Sequence, residues 1–533
     1  MLDSIPNGPA VAALAIPAVY AVIALLAGNA RAPAAAWQAA LAGTWLAVVL
    51  AMVVAVSGSV LHHVTVPGFE SRLLWLRADA VTITMLLLVT FIGAIIARYS
   101  RRYLDGDSDQ VGYLRWLMAT LCAVTVLIIA NSLLVLAMAW VATSLALHRL
   151  LTHFADRPQA VIAAHKKFLV SRLADVLLLV GVACVGYSFG TLQLDELAAA
   201  LRGPLPASPL PAVAAVLFAL TAIIKCAQLP WHGWLIQVME APTPVSALLH
   251  AGVVNIGGIV MIRLASLMTQ VELAQLLLVI AGTVTVVLAS LVMTTRVSVK
   301  VNLAWSTCAQ MGFMLVQCGL GAYTLALLHI VAHSLYKAYA FLGSGSVVDG
   351  WRVKALSPVV PAPGIRQLLP GTAMGVAVVV VVGTAMERLL GTQAGTGPAL
   401  WLFLGVLGLS LLPFTAAAWR SVGAFLAALA TVTVLVAVYC LWHALFIKLL
   451  PSVDADPTML RLGVAAAGFI SLFGLAAALA RSPSGPLARA LHPHLFAGFY
   501  IDDIFTRLTF RLWPARSIPS QANRAAKRAF SEG

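Results

Sequence analysis

The sequence predicts an all-α, polytopic membrane protein of about fifteen transmembrane helices, some of them broken. Composition is the first reason. Apolar residues make up 61% of the 533 positions and charged residues 10%, against about 25% charged in soluble domains, and the mean hydropathy is +0.97. The second reason is pattern: apolar runs of spanning length recur from end to end, parted by short polar breaks. The third is that basic residues collect in alternate breaks, as the positive-inside rule requires of a chain that crosses a bilayer repeatedly.

In chain order the runs place helices near 9–27, 35–57, 78–98, 112–130, 131–151, 165–188, 211–238, 244–267, 272–295, 299–320, 322–345, 371–390, 398–418, 421–447 and 459–480. The N-terminal MLDSIPNGPA has no basic n-region and no convincing cleavage site, so the first run reads as a retained helix. The longest polar connections are 346–370 and the tail after 481, which leaves no room for a soluble domain between helices. In that tail, HPHLFAGFYIDDIFTRLTFRLWPARS mixes aromatics, Asp502, Asp503 and several arginines. It reads as an interfacial or partner-docking helix rather than a span, followed by a disordered end.

A net charge of +14 would suit nucleic acid, but the positions of the charges argue otherwise. With the N-terminus outside, 24 of the 33 basic residues fall in inside loops or the C-terminal tail, Lys166 and Lys167 among them, and seven fall outside. The remaining two, Lys225 and Lys337, lie within apolar runs. This bias places the N-terminus outside and the C-terminus in the cytoplasm. The six cysteines form no CxxC and all lie in apolar runs, as buried hydrophobes do.

The segment 211–257 organises the chain. It begins as an apolar run, and Lys225 then appears inside it. A charge at the bilayer centre costs roughly 2.5–3.5 kcal/mol on insertion scales, so such residues are usually functional. Pro230 lacks the N–H that would continue a helix, so a break is expected there. Carbonyls freed at membrane depth are tolerated only where protein or a water-lined cavity satisfies them. Glu240, Pro242 and Pro244 follow, and the next run carries His250. A lysine beside a break, with a histidine on the next helix, suits an ion path. The competing reading is a snorkelling lysine and a structurally satisfied histidine.

Other polar residues join this pattern. Asp175 in SRLADVLLLVG needs a basic partner, and Arg172 one turn earlier offers a local one. In LLHIVAHSLYKAYAFLGSGS, His329, His333 and Lys337 stand at i, i+4 and i+8, on one helical face. Such a stripe reads as a proton relay, since histidine titrates near neutrality. HxxxH can also bind zinc, but no further ligand lies nearby in sequence. Lys225 and Lys337, about 110 residues apart, form a weak internal echo of the kind inverted-repeat transporters show.

The motifs KCAQLPWHGW and MEAPTPVSALLHAG, together with LLHIVAHSLYKAYAFLGSGS and SVKVNLAWSTCAQMGFM, resemble the proton-conducting antiporter-type membrane subunits. That family includes the distal membrane subunits of respiratory complex I, the Mrp cation/proton antiporters and the DabB subunits of inorganic-carbon transporters. The resemblance is strongest over 110–350 and faint after 371, where Glu387 and Arg388 are weak substitutes for the family's terminal lysine. It implies two inverted five-helix repeats. The chain then divides into N-terminal helices (1–111), a first repeat (112–267), a second repeat (268–420), C-terminal helices (421–480) and a cytoplasmic interfacial tail (481–533).

It also implies an ion path through Lys225, Asp175, His250, His329, His333 and Lys337, with Arg172, Glu240 and Glu387 as further members. One departure stands out: in AMAWVATSLALHRLL, Val141 occupies the place where complex I and Mrp relatives carry a glutamate that pairs with the central lysine. Asp175 is then the remaining carboxylate partner. The chain also lacks the long lateral helix of complex I's distal subunit. Both features favour the DabB branch. For that branch the resemblance implies a membrane subunit that passes protons or sodium and drives a DabA-like cytoplasmic partner resembling a zinc carbonic anhydrase. No cofactor is expected in this chain, which shows no nucleophile triad, phosphate loop or redox motif. Membrane lipid, and no nucleic acid, is its other expected partner. The alternatives are a complex I or Mrp-type subunit and a non-conducting anchor for a soluble partner.

Overall fold

The computed structural model describes residues 8–26, 32–57, 76–155, 157–347, 350, 352, 356, 365–390, 397–410, 421–449 and 455–513. The chain is a bundle of helices, and among the described residues the only β pairing is two isolated bridges, Leu76 with Ala130 and Ser132 with Gln193. The first long helices are α1 (Gly8–Leu26), α2 (Ala32–Ser57), α3 (Ala80–Tyr103), α4 (Gln110–Ile129), α5 (Leu133–Leu151) and α6 (Pro158–Phe189). A short α7 (Leu194–Ala200) leads to α8 (Leu210–Lys225) and, beyond a break, α9 (Gly233–Gln237). The next crossing is divided into α10 (Thr243–Ala251), α11 (Ile256–Arg263) and α12 (Ala265–Met268). Then follow α13 (Glu272–Met293), α14 (Val299–Gly319), α15 (Tyr323–Leu342), α16 (Ile365–Leu390), α17 (Gly397–Ser410), α18 (Val422–Leu449) and α19 (Met459–Arg481), and last the tail helices α20 (Pro486–Phe496) and α21 (Ile501–Leu512).

A helix lies at each of the fifteen positions expected from the apolar runs. Among the described residues, eleven are long and apolar enough to cross a membrane by length and composition, with Ala13–Leu26, Leu210–Lys225 and Gly397–Ser410 as shorter apolar helices. The bundle is close-packed where helices cross without intervening side chains. Gly282 and Gly312 face each other so tightly that a Cβ on Gly312 would lie 2.7 Å from the Gly282 carbonyl oxygen, which lets α13 and α14 pack backbone to backbone.

Two features correct the expected layout. α6 begins at Pro158 rather than near 165, because proline's fixed φ suits the first helical turn. Lys166 and Lys167, read as residues of an inside loop, are therefore buried helix residues. The run near 211–238 is not one helix bent at Pro230: α8 stops at Lys225, and the irregular stretch 226–232 contains Pro230. The stop comes early because Ala227 takes a left-handed φ of +53° and the residue before a proline avoids the helical region. The expected loop contacts in 346–370 lie mostly outside the described residues, as do the chain end beyond 513 and the basic residues Arg31, Arg72, Lys354 and Arg420.

Candidate functional site

The irregular stretch after Lys225 leaves main-chain groups without helical partners, and side chains take them up. Gln228 Nε2 donates to the Cys226 carbonyl at 2.8 Å, and Thr285 Oγ1 on α13 accepts from the Leu229 N–H at 3.2 Å. A second interruption follows His250, at Gly252, between α10 and α11. Cys226 joins the two. Its Sγ lies 3.2 Å from the Val254 carbonyl, and a Cβ on Gly257 would come within 2.3 Å of that sulfur. Two helix breaks thus sit side by side inside the protein, where irregular backbone is permitted only if its polar groups are met.

Lys225 reaches into a cluster built on α5, α6 and α8. Its Nζ is 2.5 Å from Asp175 Oδ1, and both side chains are under a tenth exposed. Arg172 Nη2 holds the other carboxylate oxygen at 2.6 Å. The local partner and the long-range partner anticipated for Asp175 are therefore both present, and the carboxylate bridges two cations. Trp140, beside Val141 on α5, presents its ring to the ammonium at 4.4 Å, a cation–π contact. Lys167 adds a third basic side chain, buried in protein. Its Nζ donates to the Ser144 carbonyl at 2.5 Å and hydroxyl at 2.8 Å, and Arg172 approaches the same hydroxyl at 3.4 Å. An unbroken polar chain, Lys167–Ser144–Arg172–Asp175–Lys225, results. Neither Lys167 nor Trp140 was expected here. A lysine beside Lys166 near the start of a helix looks like an end residue, and tryptophan is common in membrane proteins.

The second group lies between α10, α14 and α15. Lys337 is fully buried, and its Nζ donates to the Leu303 carbonyl at 3.1 Å and to Ser306 Oγ at 2.8 Å. His250 stacks on Phe341 with ring centroids 4.4 Å apart. His329 and His333 are 5.8 Å apart, and His329 Nδ1 is 3.1 Å from Gln317 Oε1. Both histidines border a cavity of about 890 Å³ between α13, α14, α15, α17, α18 and α19, which Gln310, Gln317 and Phe313 also line. The spacing i, i+4, i+8 thus does align the three residues, and α10 brings His250 to the same helix.

The structure does not bring Glu240 or Glu387 into these groups. Glu240 sits half exposed, 4.0 Å from Arg157. Glu387 lies in the last turns of α16, beside Cys440. Among the described residues no group of three or more His, Cys, Asp or Glu is placed to hold a metal ion.

The chain as a whole is matched among known proteins. The family described as NADH:quinone oxidoreductase/Mrp antiporter matches residues 130–386, and the complex I chain 5 N-terminal family matches 73–114. A relative in Hydrogenovibrio crunogenus, named a probable inorganic carbon transporter subunit DabB, is 42% identical over 83% of this chain and 84% of its own. The chain belongs to the DabB family. A probable inorganic carbon transporter subunit DabB2 of Halothiobacillus neapolitanus is 38% identical over 84% of this chain and 82% of that one. Among solved structures, that of the Mrp complex from Dietzia sp. DQ12-45-1b matches with a TM-score of 0.57 and 25% identity, covering 98% of this chain and 59% of that chain. As a DabB-family protein the chain is a multi-pass, antiporter-like membrane transport subunit, not in itself a catalytic enzyme. Its relatives are named as subunits, which implies a partner.

Proposed function

We propose that the chain is the cation-conducting membrane subunit of an energy-coupled inorganic carbon transporter. Protons or sodium ions pass through Lys225, Asp175, His250, His329, His333 and Lys337, and their flow drives a cytoplasmic, carbonic-anhydrase-like partner. Zinc belongs to that partner in this reading. The observation that carries the proposal is the buried Lys225–Asp175 pair at the mouth of a helix break. An anchor has no need of charges in lipid. A charge pair beside a helix break can exchange its proton or counter-ion, because water admitted at the break can reach it. The division into repeats at 112–267 and 268–420, with the first supplying Lys225 and the second Lys337, is part of the same reading. A complex I or Mrp-type role is the second reading, favoured by the match over 130–386.

Lys225→Ala is expected to abolish bicarbonate or CO2 uptake in a carbon-uptake-deficient host, with membrane level and partner co-purification unchanged. Near-normal uptake at equal protein level would return Lys225 to a structural role and revive the anchor reading. The partner docks, in this proposal, on the outward face of the tail helices, where Phe496, Ile504 and Leu512 are 57%, 70% and 63% exposed. Deleting the chain from Pro486 onward should then remove the partner from the purified complex. A complex recovered at full strength would move the docking site elsewhere.

A further inference from the structure

The outward face of α21 is available to a partner; its inward face grips the break. Asp502, near the start of α21, meets two other elements, α6 and α9. Its two oxygens lie 2.7 and 2.9 Å from Lys166 Nζ on α6, and Gln237 Nε2 at the end of α9 donates to Oδ2 at 2.8 Å. At the start of α9, Gly233 has no side chain where the carboxylate passes, and a Cβ there would fall 1.4 Å from Asp502 Oδ1. Thr506, one turn on, accepts from Lys166 at 2.7 Å. Trp513 stacks on His165 at 3.9 Å, and the Leu495 carbonyl accepts from Arg296 at 2.9 Å. The Lys166 side chain is 2% exposed, so its ammonium depends on this carboxylate.

The gripped segment cannot hold its own shape. α9 has five residues, far below the length at which a helix is stable unaided, and 226–232 is irregular. Its position is set by what packs on it. From one side comes Thr285 of α13, and from the membrane end comes Asp502. On α21 itself, Asp502 and Thr506 face inward while Ile504, Leu508 and Leu512 are 70%, 48% and 63% exposed. Whatever moves the outward face also moves the carboxylate.

We propose that Asp502 is a positioning residue, a latch through which the amphipathic tail helix holds residues 226–240 closed, so that displacement of the tail loosens the break behind Lys225. The functional meaning of the latch rests on the ion path proposed above; its existence does not.

Cys226 reports on the break directly. It is fully buried, between the two interruptions. In full-length protein with the other five cysteines replaced by alanine, a water-soluble maleimide is applied to membrane vesicles and the labelling rate of Cys226 is followed. Asp502→Asn is expected to raise that rate on the order of tenfold, equivalent to about 1.4 kcal/mol on the opening equilibrium. Exchanging the charges, Lys166→Asp with Asp502→Lys, should bring the rate back toward the parent. Thr506→Val, which removes one bond and no charge, should raise it by a smaller factor and serves where Asp502→Asn fails to accumulate. An unchanged rate in Asp502→Asn, or in Thr506→Val if only that variant reaches the membrane, overturns the latch. Labelling needs no transport, so this result stands apart from the uptake of Lys225→Ala, which decides the ion path alone.

Discussion

An ammonium group without water takes its charge state from its neighbours. Around Lys225 these are one carboxylate, one indole ring and two further basic side chains, Arg172 on the carboxylate and Lys167 linked to it through Ser144. In the proposed ion path the balance therefore falls on Asp175, the carboxylate against this ammonium. Asp175→Asn is expected to cut uptake nearly as deeply as loss of Lys225. A second carboxylate at the vacant place, Val141→Glu, should restore part of that loss. If Asp175→Asn transports normally, the pair is an incidental contact; if Val141→Glu restores nothing, the position on α5 does not matter. At this scale the sequence disclosed the residue types that membranes rarely tolerate: Lys225, Asp175, His250 and Lys337 all stood out against apolar surroundings. Lys167 and Trp140 did not. Their roles depend on where α6 starts and which way α5 turns, and neither leaves a compositional trace. Asp502 is harder still, since its partner lies 336 residues away.

Among the elements, α3 and α11 are tied at the end of the bundle remote from the tail. Asp79 caps α3 through the Thr82 N–H at 2.8 Å and also takes Arg263 of α11 at 2.6 Å and Arg77 at 2.7 Å. Burial pushes its carboxyl up, but the two guanidinium groups and the Thr82 amide outweigh this and hold it well below the usual carboxylate range. A group so lowered stabilises the fold at any pH above its unfolded pKa, near 3.9. That stability is lost as pH falls below this value. Detergent-purified protein should accordingly begin to lose thermal stability below about pH 5 and go on losing it down to about pH 1. Asp79→Asn should be less stable at neutral pH, on the order of 3 kcal/mol for a broken buried pair, and should show a shallower decline in acid. Parallel pH curves for the two proteins would assign the acid sensitivity to other carboxylates. The spans were legible because bilayer thickness demands long apolar runs. The breaks were legible only in part. Proline marked the first within a few residues, whereas the second falls at Gly252, in an apolar stretch with no signal beyond the glycine itself.

For the whole molecule, the contacts sort into two ends. At one, Asp79 joins Arg77 and Arg263, Gln193 pairs with Asn131, and Gln270 binds the Leu201 carbonyl; Lys166, Glu240, Arg296 and the tail helices gather at the other. The excess of basic residues on the tail's side motivates an outside N-terminus and a cytoplasmic C-terminus. Reporter fusions at residue 3 and after Arg528 should answer from opposite sides of the membrane. Identical answers would mean that one crossing has been assigned wrongly and that every later connection changes side. The early stop of α8 also has an electrical side. Lys225 stands at a helix C-terminus inside the bundle, not at its surface. Along the proposed path, a proton passing between this lysine and the water on either face crosses only a share of the membrane voltage, which for the whole journey amounts to about 2.3 kcal/mol per 100 mV. The field is thus divided between an inbound and an outbound leg. If the proposed coupling holds, a collapse of the potential would weaken both legs together, and carbon uptake would fall with the voltage.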